Sequence, residues 1–259
     1  MAVDPAAVTR HRHALVVPLV LLGLLAPTAA SAAAEAPVRV APTVPPGLRH
    51  SPTTSPRPTT HPARRTAFIP TYVQRVRTRD RVVFLTIDDG VFEDPAFLAL
   101  VKRQHLRFTV FLTNSEAGGR RALYFQALHE AGAVIEDHTL THPRLTGTTA
   151  AARKHEVCDA ARDDKLLFGR RAELLRPPYG AWNATVLATA KACGLHAVVG
   201  WDAVMPQSGQ LQTWFGRPVL HPGDIVLMHF LPGLTAQVKR LEALVTAQHL
   251  RLALLENYL

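Results

Sequence analysis

Residues 82–90 read V-V-F-L-T-I-D-D-G, an uncharged run that stops abruptly at two adjacent carboxylates, Asp88 and Asp89. An unbroken apolar run this short suits a strand covered on both faces, the habit of parallel sheets. Two ionised carboxylates at the end of such a strand repel each other and are costly to desolvate. The rest of the chain has to supply partners that hold them there.

Similar runs recur at 108–113, 133–136, 173–176, 196–201, 224–229 and 251–255. Segments of helical periodicity separate them at 95–104, 121–132, 148–168, 183–193 and 235–249. Repeated strand–helix units predict an α/β fold whose parallel sheet of about seven strands closes, or nearly closes, into a barrel. Polar residues gather where the strands end: Asp88 and Asp89, His138, Arg176, Trp201 with Asp202, and His229. In such barrels the C-terminal strand ends carry the chemistry.

H-T-L-T-H (138–142) sets two histidines four residues apart, so on one helical turn both rings face the same way. With one carboxylate they make three ligands for zinc or a similar ion and leave a position for water. Alone, the spacing is outweighed by the reading of two ordinary loop histidines, since the chain has 13. R-P-P-Y-G (176–180) adds Arg176, whose guanidinium suits the other aspartate of the pair, and a stiff loop whose amides suit an oxyanion. Alone, it reads as a Pro-rich turn with a surface arginine, and L-M-H (227–229) as a strand ending in a capping or core histidine.

Together T-I-D-D-G, H-T-L-T-H-P, R-P-P-Y-G and I-V-L-M-H, in this order, closely resemble the polysaccharide deacetylases, carbohydrate esterase family 4, over nearly all of 80–259. The resemblance implies a single catalytic domain built as a distorted (β/α) barrel. It implies hydrolysis of N-acetyl, sometimes O-acetyl, groups on peptidoglycan or chitin-like glycans with a divalent metal, zinc first, Co²⁺ or another transition ion as alternatives. It implies that Asp89, His138 and His142 bind the metal and that Asp88, tethered by Arg176, is the general base. It further implies that the Tyr179 amide stabilises the oxyanion, that Leu227 lines the acetyl pocket beside Trp201, and that His229 is the general acid.

The resemblance weakens between Val198 and Pro222. Trp201 and Asp202 match a strand end, but the usual Asp-Trp pair is missing, Trp214 lacks a preceding acid, and the helix before the last motif looks shortened. Two readings stand: Asp202 replaces the missing aspartate as partner of His229, or His229 has no carboxylate. Asp137, where the family often has Asn, is expected to be a solvated charge rather than an acceptor behind the site. An active deacetylase and a catalytically weak cell-wall glycan-binding protein that keeps the metal pocket are thus both carried forward, the enzyme preferred because base and acid are both present.

The N-terminal part differs in kind. A basic start, the apolar run at 14–25 and the A-x-A site at Ala30-Ser31-Ala32 predict a signal peptide over 1–32. Pro18 and the short length argue against a spanning helix, so no stable transmembrane segment is expected after processing. Residues 33–66, rich in Pro, Thr and Arg, read as a disordered linker, and 67–259 as the domain. Of the formal charge of +9, the linker carries +4 and the domain +4, which favours association of the linker with an anionic cell wall. The composition offers no basic helix or recognition motif for nucleic acid. A secreted or cell-wall-associated monomer is expected. Cys158 and Cys193, the only cysteines, leave a disulfide and two buried thiols equally open.

Overall fold

The structure, a computed structural model, describes residues 71–214, 216 and 218–259. The expected signal peptide (1–32) and linker (33–66) lie outside the described residues. The strands are β1 (Thr71–Val73), β2 (Val82–Asp89), β3 (Phe108–Leu112), β4 (Ala133–Asp137), β5 (Leu174–Leu175), β6 (Ala197–Val199), β7 (Ala203–Val204), β8 (Gln212–Thr213), β9 (Ile225–His229) and β10 (Arg251–Ala253). The helices are α1 (Pro95–Gln104), α2 (Arg121–Glu130), α3 (Ala150–Phe168), α4 (Ala184–Ala192) and α5 (Leu234–Ala247).

One curled sheet runs in the order β1-β6-β5-β4-β3-β2-β9-β7-β8, with β10 paired to the start of β2. All its pairings are parallel except that of β7 with β8. The result is a half-barrel with helices outside, the α/β architecture the strand–helix alternation predicts. The expected seven strands are all present, while β1, β7 and β8 are additional. Strands of two or three residues have no periodicity to read. The helix expected to be shortened before β9 is absent among the described residues, and the β7–β8 hairpin takes its place.

The alternation of β2 explains how the site is aimed. Val83, Leu85 and Ile87 pack with Phe97, Leu100 and Val226 in the layer beneath the helices. Val82 and Phe84 belong to the inner cluster with Phe111, Val199 and Ile225. Asp88 falls on that inner face, at the C-terminal rim. Register then places Phe111 on one side of it and His229 on the other.

The helices begin where local chemistry dictates. Asp94 caps α1 by accepting from the amides of Ala96 and Phe97 at 3.0 and 3.1 Å, while its second oxygen accepts from the Thr235 hydroxyl at 2.8 Å. One carboxylate thereby fixes the start of α1 and the first turn of α5. Thr149 and Asn183 cap α3 and α4 in the same manner. No helix among the described residues is long and apolar enough to cross a membrane.

A second apolar cluster, with Leu145, Val157, Leu175, Val186 and Val198, lies under α3 and α4. Here the structure bonds Cys158 to Cys193 across 35 residues, which decides between the two readings of the cysteines. Closing a loop of that length removes freedom from the unfolded chain. The Cys158→Ala/Cys193→Ala protein is expected to lose about 3–4 kcal/mol in urea unfolding. Reductant should lower wild-type stability by a comparable amount and leave the variant unchanged. Equal stability of both proteins without reductant would show that the bridge contributes nothing.

Candidate active site

Arg176 follows β5, and its amide continues the ladder by donating to the Asp137 carbonyl at 3.0 Å. The side chain turns inward and is fully buried. Its Nη1 donates to Asp88 Oδ1 at 2.7 Å and to Thr86 Oγ1 at 2.8 Å, and its Nη2 donates to the Gly200 carbonyl at 2.9 Å. The guanidinium carbon lies 4.1 Å over the Phe111 ring. Burial works against the guanidinium's charge and lowers its pKa, while the Asp88 carboxylate opposes that shift. The first carboxylate of T-I-D-D-G therefore has its cation, and it is a fixed one.

The second is handled differently. Asp89 has a φ of 76°, which turns its side chain away from ordinary strand alternation. Gly90 follows at φ 117°, and a Cβ there would lie 2.7 Å from Leu112 Cδ1, so only glycine fits. Asp89 Oδ1 lies 3.4 Å from His138 Nε2 and 3.3 Å from His142 Nε2. Burial acts to raise the Asp89 pKa, but the two imidazoles facing it outweigh this and hold it below the usual carboxylate range.

The two histidines converge, though not by the helical turn that their spacing suggests. Residues 138–142 form an irregular loop in which Thr139 and His142 have φ of 72° and 62°. Among the contacts that hold it, the Thr139 amide donates to Asp137 Oδ1 at 2.7 Å, the His142 amide to Thr139 Oγ1 at 3.0 Å, and the Thr141 amide to Glu156 at 2.9 Å. Asp137 is accordingly no solvated charge. It is fully buried, and burial together with the charge of Asp164 pushes its carboxyl well above the usual range.

These residues fit a metal ion by their donor chemistry. His138 Nδ1 lies 2.6 Å from the Arg176 carbonyl, which only accepts, so Nδ1 carries the proton and Nε2 presents a lone pair. Asp89 Oδ1 is buried without a hydrogen-bond partner among the described residues. Ligand atoms of Asp89, His138 and His142 lie within 4.8 Å of one another. Two imidazoles and a carboxylate oxygen converging on one point are the donor set of a cation site.

Asp88, Asp89, His138, His142, Tyr179, Trp201, Leu227 and His229 line one cavity of about 350 Å³, together with Pro177 and Gly180. The sequence motifs thus meet, with Arg176 behind the wall. Tyr179 has φ 61°, and its amide donates to no described residue. Its ring is 60% exposed, packs edge-on to His142 at 4.8 Å, and carries the Arg144 guanidinium at 5.0 Å from its centre. A Cβ on Gly180 would sit 2.8 Å from the Trp201 ring. Sequence reasoning missed Thr86 and Arg144. Arg144 had a signal, since it directly follows H-T-L-T-H-P, whereas Thr86 read as an ordinary strand residue.

Asp202 is the exception. It precedes β7 rather than ending a strand, and its Oδ1 accepts from the Ile225 amide at 2.9 Å. Ile225 opens β9 and His229 closes it, a separation of about 13 Å at strand rise. Asp202 therefore does not partner His229, and no carboxylate lies within ion-pair distance of His229 among the described residues. Asp202 instead sits beside Asp224, with Arg75 Nε 3.7 Å from one and 3.0 Å from the other. Burial, reinforced by Asp224, pushes its pKa up to about 7.

Comparison with known proteins agrees with this geometry. Residues 75–198 match the sequence model of the polysaccharide deacetylases. A chitooligosaccharide deacetylase of Bradyrhizobium is 31% identical over 176 residues, covering 63% of this chain and 79% of the relative. The chain belongs to the polysaccharide deacetylase family. An uncharacterised protein of Streptomyces coelicolor is 40% identical over 195 residues, 74% of this chain and 78% of its own. PdaA of Bacillus subtilis, named a peptidoglycan-N-acetylmuramic acid deacetylase, is 28% identical over 163 residues, 59% of this chain and 61% of its own. The solved structure of PdaA, a family 4 carbohydrate esterase, superposes with a TM-score of 0.62 at 20% identity, covering 72% of this chain and 84% of that one.

The Asp202–Asp224 pair carries a pH signature. A carboxyl whose pKa rises from 3.8 unfolded to about 7 folded binds its proton more tightly in the native state. Its contribution is full below about pH 4 and is lost as pH rises through 7. Asp202→Asn keeps the acceptor for Ile225 and removes that loss. The variant should match wild type near pH 4 and exceed it by about 1–3 kcal/mol at pH 8 in urea unfolding. A constant difference across that range would contradict the assignment.

Proposed function

We propose that this deacetylase is a secreted or cell-wall-associated, metal-dependent hydrolase that removes N-acetyl groups from amino-sugar polymers, peptidoglycan or chitin-like glycans. O-acetyl groups are a secondary target. The observation that carries the reading is the division of labour between adjacent carboxylates. Asp88 is fixed by an arginine, and Asp89 is turned toward two imidazoles. The relatives named for chitooligosaccharides and for peptidoglycan support the substrate class. The Cys158–Cys193 bond suits an oxidising compartment, as does the signal-like N-terminus.

Asp89, His138 and His142 are the residues that would hold a divalent ion, zinc by donor type, with Co²⁺ as alternative. Bound there, the ion supplies Lewis acidity toward a carbonyl and toward water. The chain's own groups do the rest. Arg176 occupies Asp88 Oδ1, while Oδ2 lies 3.8 Å from His138 Nε2 and is the oxygen that takes the proton from the attacking water. The Tyr179 amide donates to the oxygen that gains negative charge as water adds to the acetyl carbonyl carbon. His229 delivers a proton to the sugar nitrogen as the C–N bond breaks, giving acetate and a free amine. Leu227, buried on the cavity wall, faces the acetyl methyl, and Trp201 closes the side next to Gly180.

The lack of a carboxylate behind His229 favours the second reading, a catalytically weak glycan-binding protein. The buried pair of Arg176 and Asp88 argues the other way, because binding alone gives no reason to bury a fixed base beside a metal site.

Metal analysis of the purified protein should give about one divalent ion per chain, lost in His142→Ala and retained in Asp88→Asn. Acetate release from chitin oligomers or peptidoglycan should fall at least about 100-fold in Asp88→Asn. Wild-type turnover in Asp88→Asn would remove the base, and an unchanged ion content in His142→Ala would remove the ligand set.

A further inference from the structure

Beside the cavity, against the lining residue Tyr179, lies a cation that the reaction does not use. Arg144 lies over the exposed ring of Tyr179, whose other contact is the ring of His142. Its side chain makes no hydrogen bond or ion pair with any described residue. Other arginines near this end are engaged: Arg121 pairs with Glu116 at 2.6 Å, and Arg153 donates to the Leu145 and Thr148 carbonyls at 3.3 and 2.9 Å. Glu156, on α3, already accepts from the amide and hydroxyl of Thr141.

A guanidinium held over an aromatic face is positioned by that face and loses little hydrogen-bonding capacity. Its five N–H donors lie in its own plane and suit a carboxylate in a two-pronged contact. The carboxylates of the cavity do not compete for it, since Asp88 is committed to Arg176 and Asp89 to the imidazole pair. An anionic group arriving at Tyr179 therefore meets a cation and no uncompensated negative charge.

We propose that Arg144 is a specificity-determining residue that receives a carboxylate borne by the sugar whose acetamido group enters the cavity. This rests on the deacetylase reading and narrows its substrate to carboxylate-bearing amino-sugar strands in preference to neutral chitin-like ones. A lactyl carboxylate on the ring position adjacent to the acetamido carbon, as in the muramoyl units of peptidoglycan, has the required chemistry. The Tyr179 ring serves as the fixed plate between metal ligand and anion receptor, so both ends of one sugar are read by adjacent side chains.

The test uses three probes: glycan strands of peptidoglycan freed of stem peptides, the same strands with their carboxylates converted to amides, and chitopentaose. Binding is measured by calorimetry on the full chain carrying Asp88→Asn, and KM and kcat for acetate release on the chain with Asp88 intact. Arg144→Gln should raise the Kd and KM for carboxylate strands by about tenfold more than those for chitopentaose. Amidated strands should bind the Arg144 protein about as weakly as carboxylate strands bind the variant. Arg144→Lys should restore part of the affinity, and added salt should narrow the difference. Equal effects of Arg144→Gln on all three probes, or equal binding of carboxylate and amidated strands, would overturn the proposal. Discrimination in binding without acetate release from any probe would leave the receptor standing and sink the deacetylase reading.

Discussion

The buried contact between Arg176 and Asp88 is the constraint around which the site is arranged. A charge with no exposed surface is costly unless its partners are close and complete. Arg176 answers most of that demand with the Asp88 carboxylate and Thr86 hydroxyl of β2, the Gly200 carbonyl after β6 and the Phe111 ring of β3, and only its Nε has no hydrogen-bond partner among the described residues. Its own carbonyl also accepts from His138 Nδ1. One residue thus positions the base through its side chain and orients a metal-ligand imidazole through its backbone. Substituting Arg176 strands a buried carboxylate, at a cost of about 3–5 kcal/mol. It would also disturb groups that Asp88 never touches.

Backbone strain is concentrated at the same place. Among the described residues six non-glycine positions have positive φ, and Asp89, Thr139, His142 and Tyr179 all belong to the site or its loops. Each such residue costs of order 1–3 kcal/mol and persists only where surroundings over-determine it. The surroundings are visible: Gly90 against Leu112 and Phe125, Asp137 and Thr139 holding the histidine loop, Gly180 against Trp201. Asp137 in particular belongs to the support of the metal ligands, although it contacts none of their ligating atoms.

What the sequence disclosed follows from this pattern. The long strands were legible because a parallel strand buried on both faces reads as a near-continuous apolar run, as in β2 up to Ile87 and in β3. The chemical identity of the site was legible because paired acids, two histidines and an arginine at strand ends are rare in combination. The local geometry was not. H-T-L-T-H has helical spacing, yet its rings converge through left-handed residues that no periodicity encodes. Asp202 was misplaced for a related reason. V-V-G-W-D reads as one strand, whereas the strand ends at Val199 and a second begins at Ala203. That break moves the carboxylate to the opposite end of β9. Asp137 was misread because composition cannot reveal that a helix residue, Asp164, and a strand face will seal an acid from water.

The adjacency of Asp88 and Asp89 is then a geometric necessity more than an electrostatic burden. Consecutive strand residues point to opposite faces. With an ordinary backbone, Asp89 would follow Ile87 and Leu85 into the apolar layer beneath the helices, where a carboxylate has no partner. The left-handed turn at Asp89 brings the second acid back to the rim that the first already faces. Only a glycine in the next position tolerates that turn against Leu112. The two acids are neighbours in sequence, and the turn between them is what lets Asp88 meet the guanidinium that follows β5 and Asp89 the two imidazoles of the loop after β4.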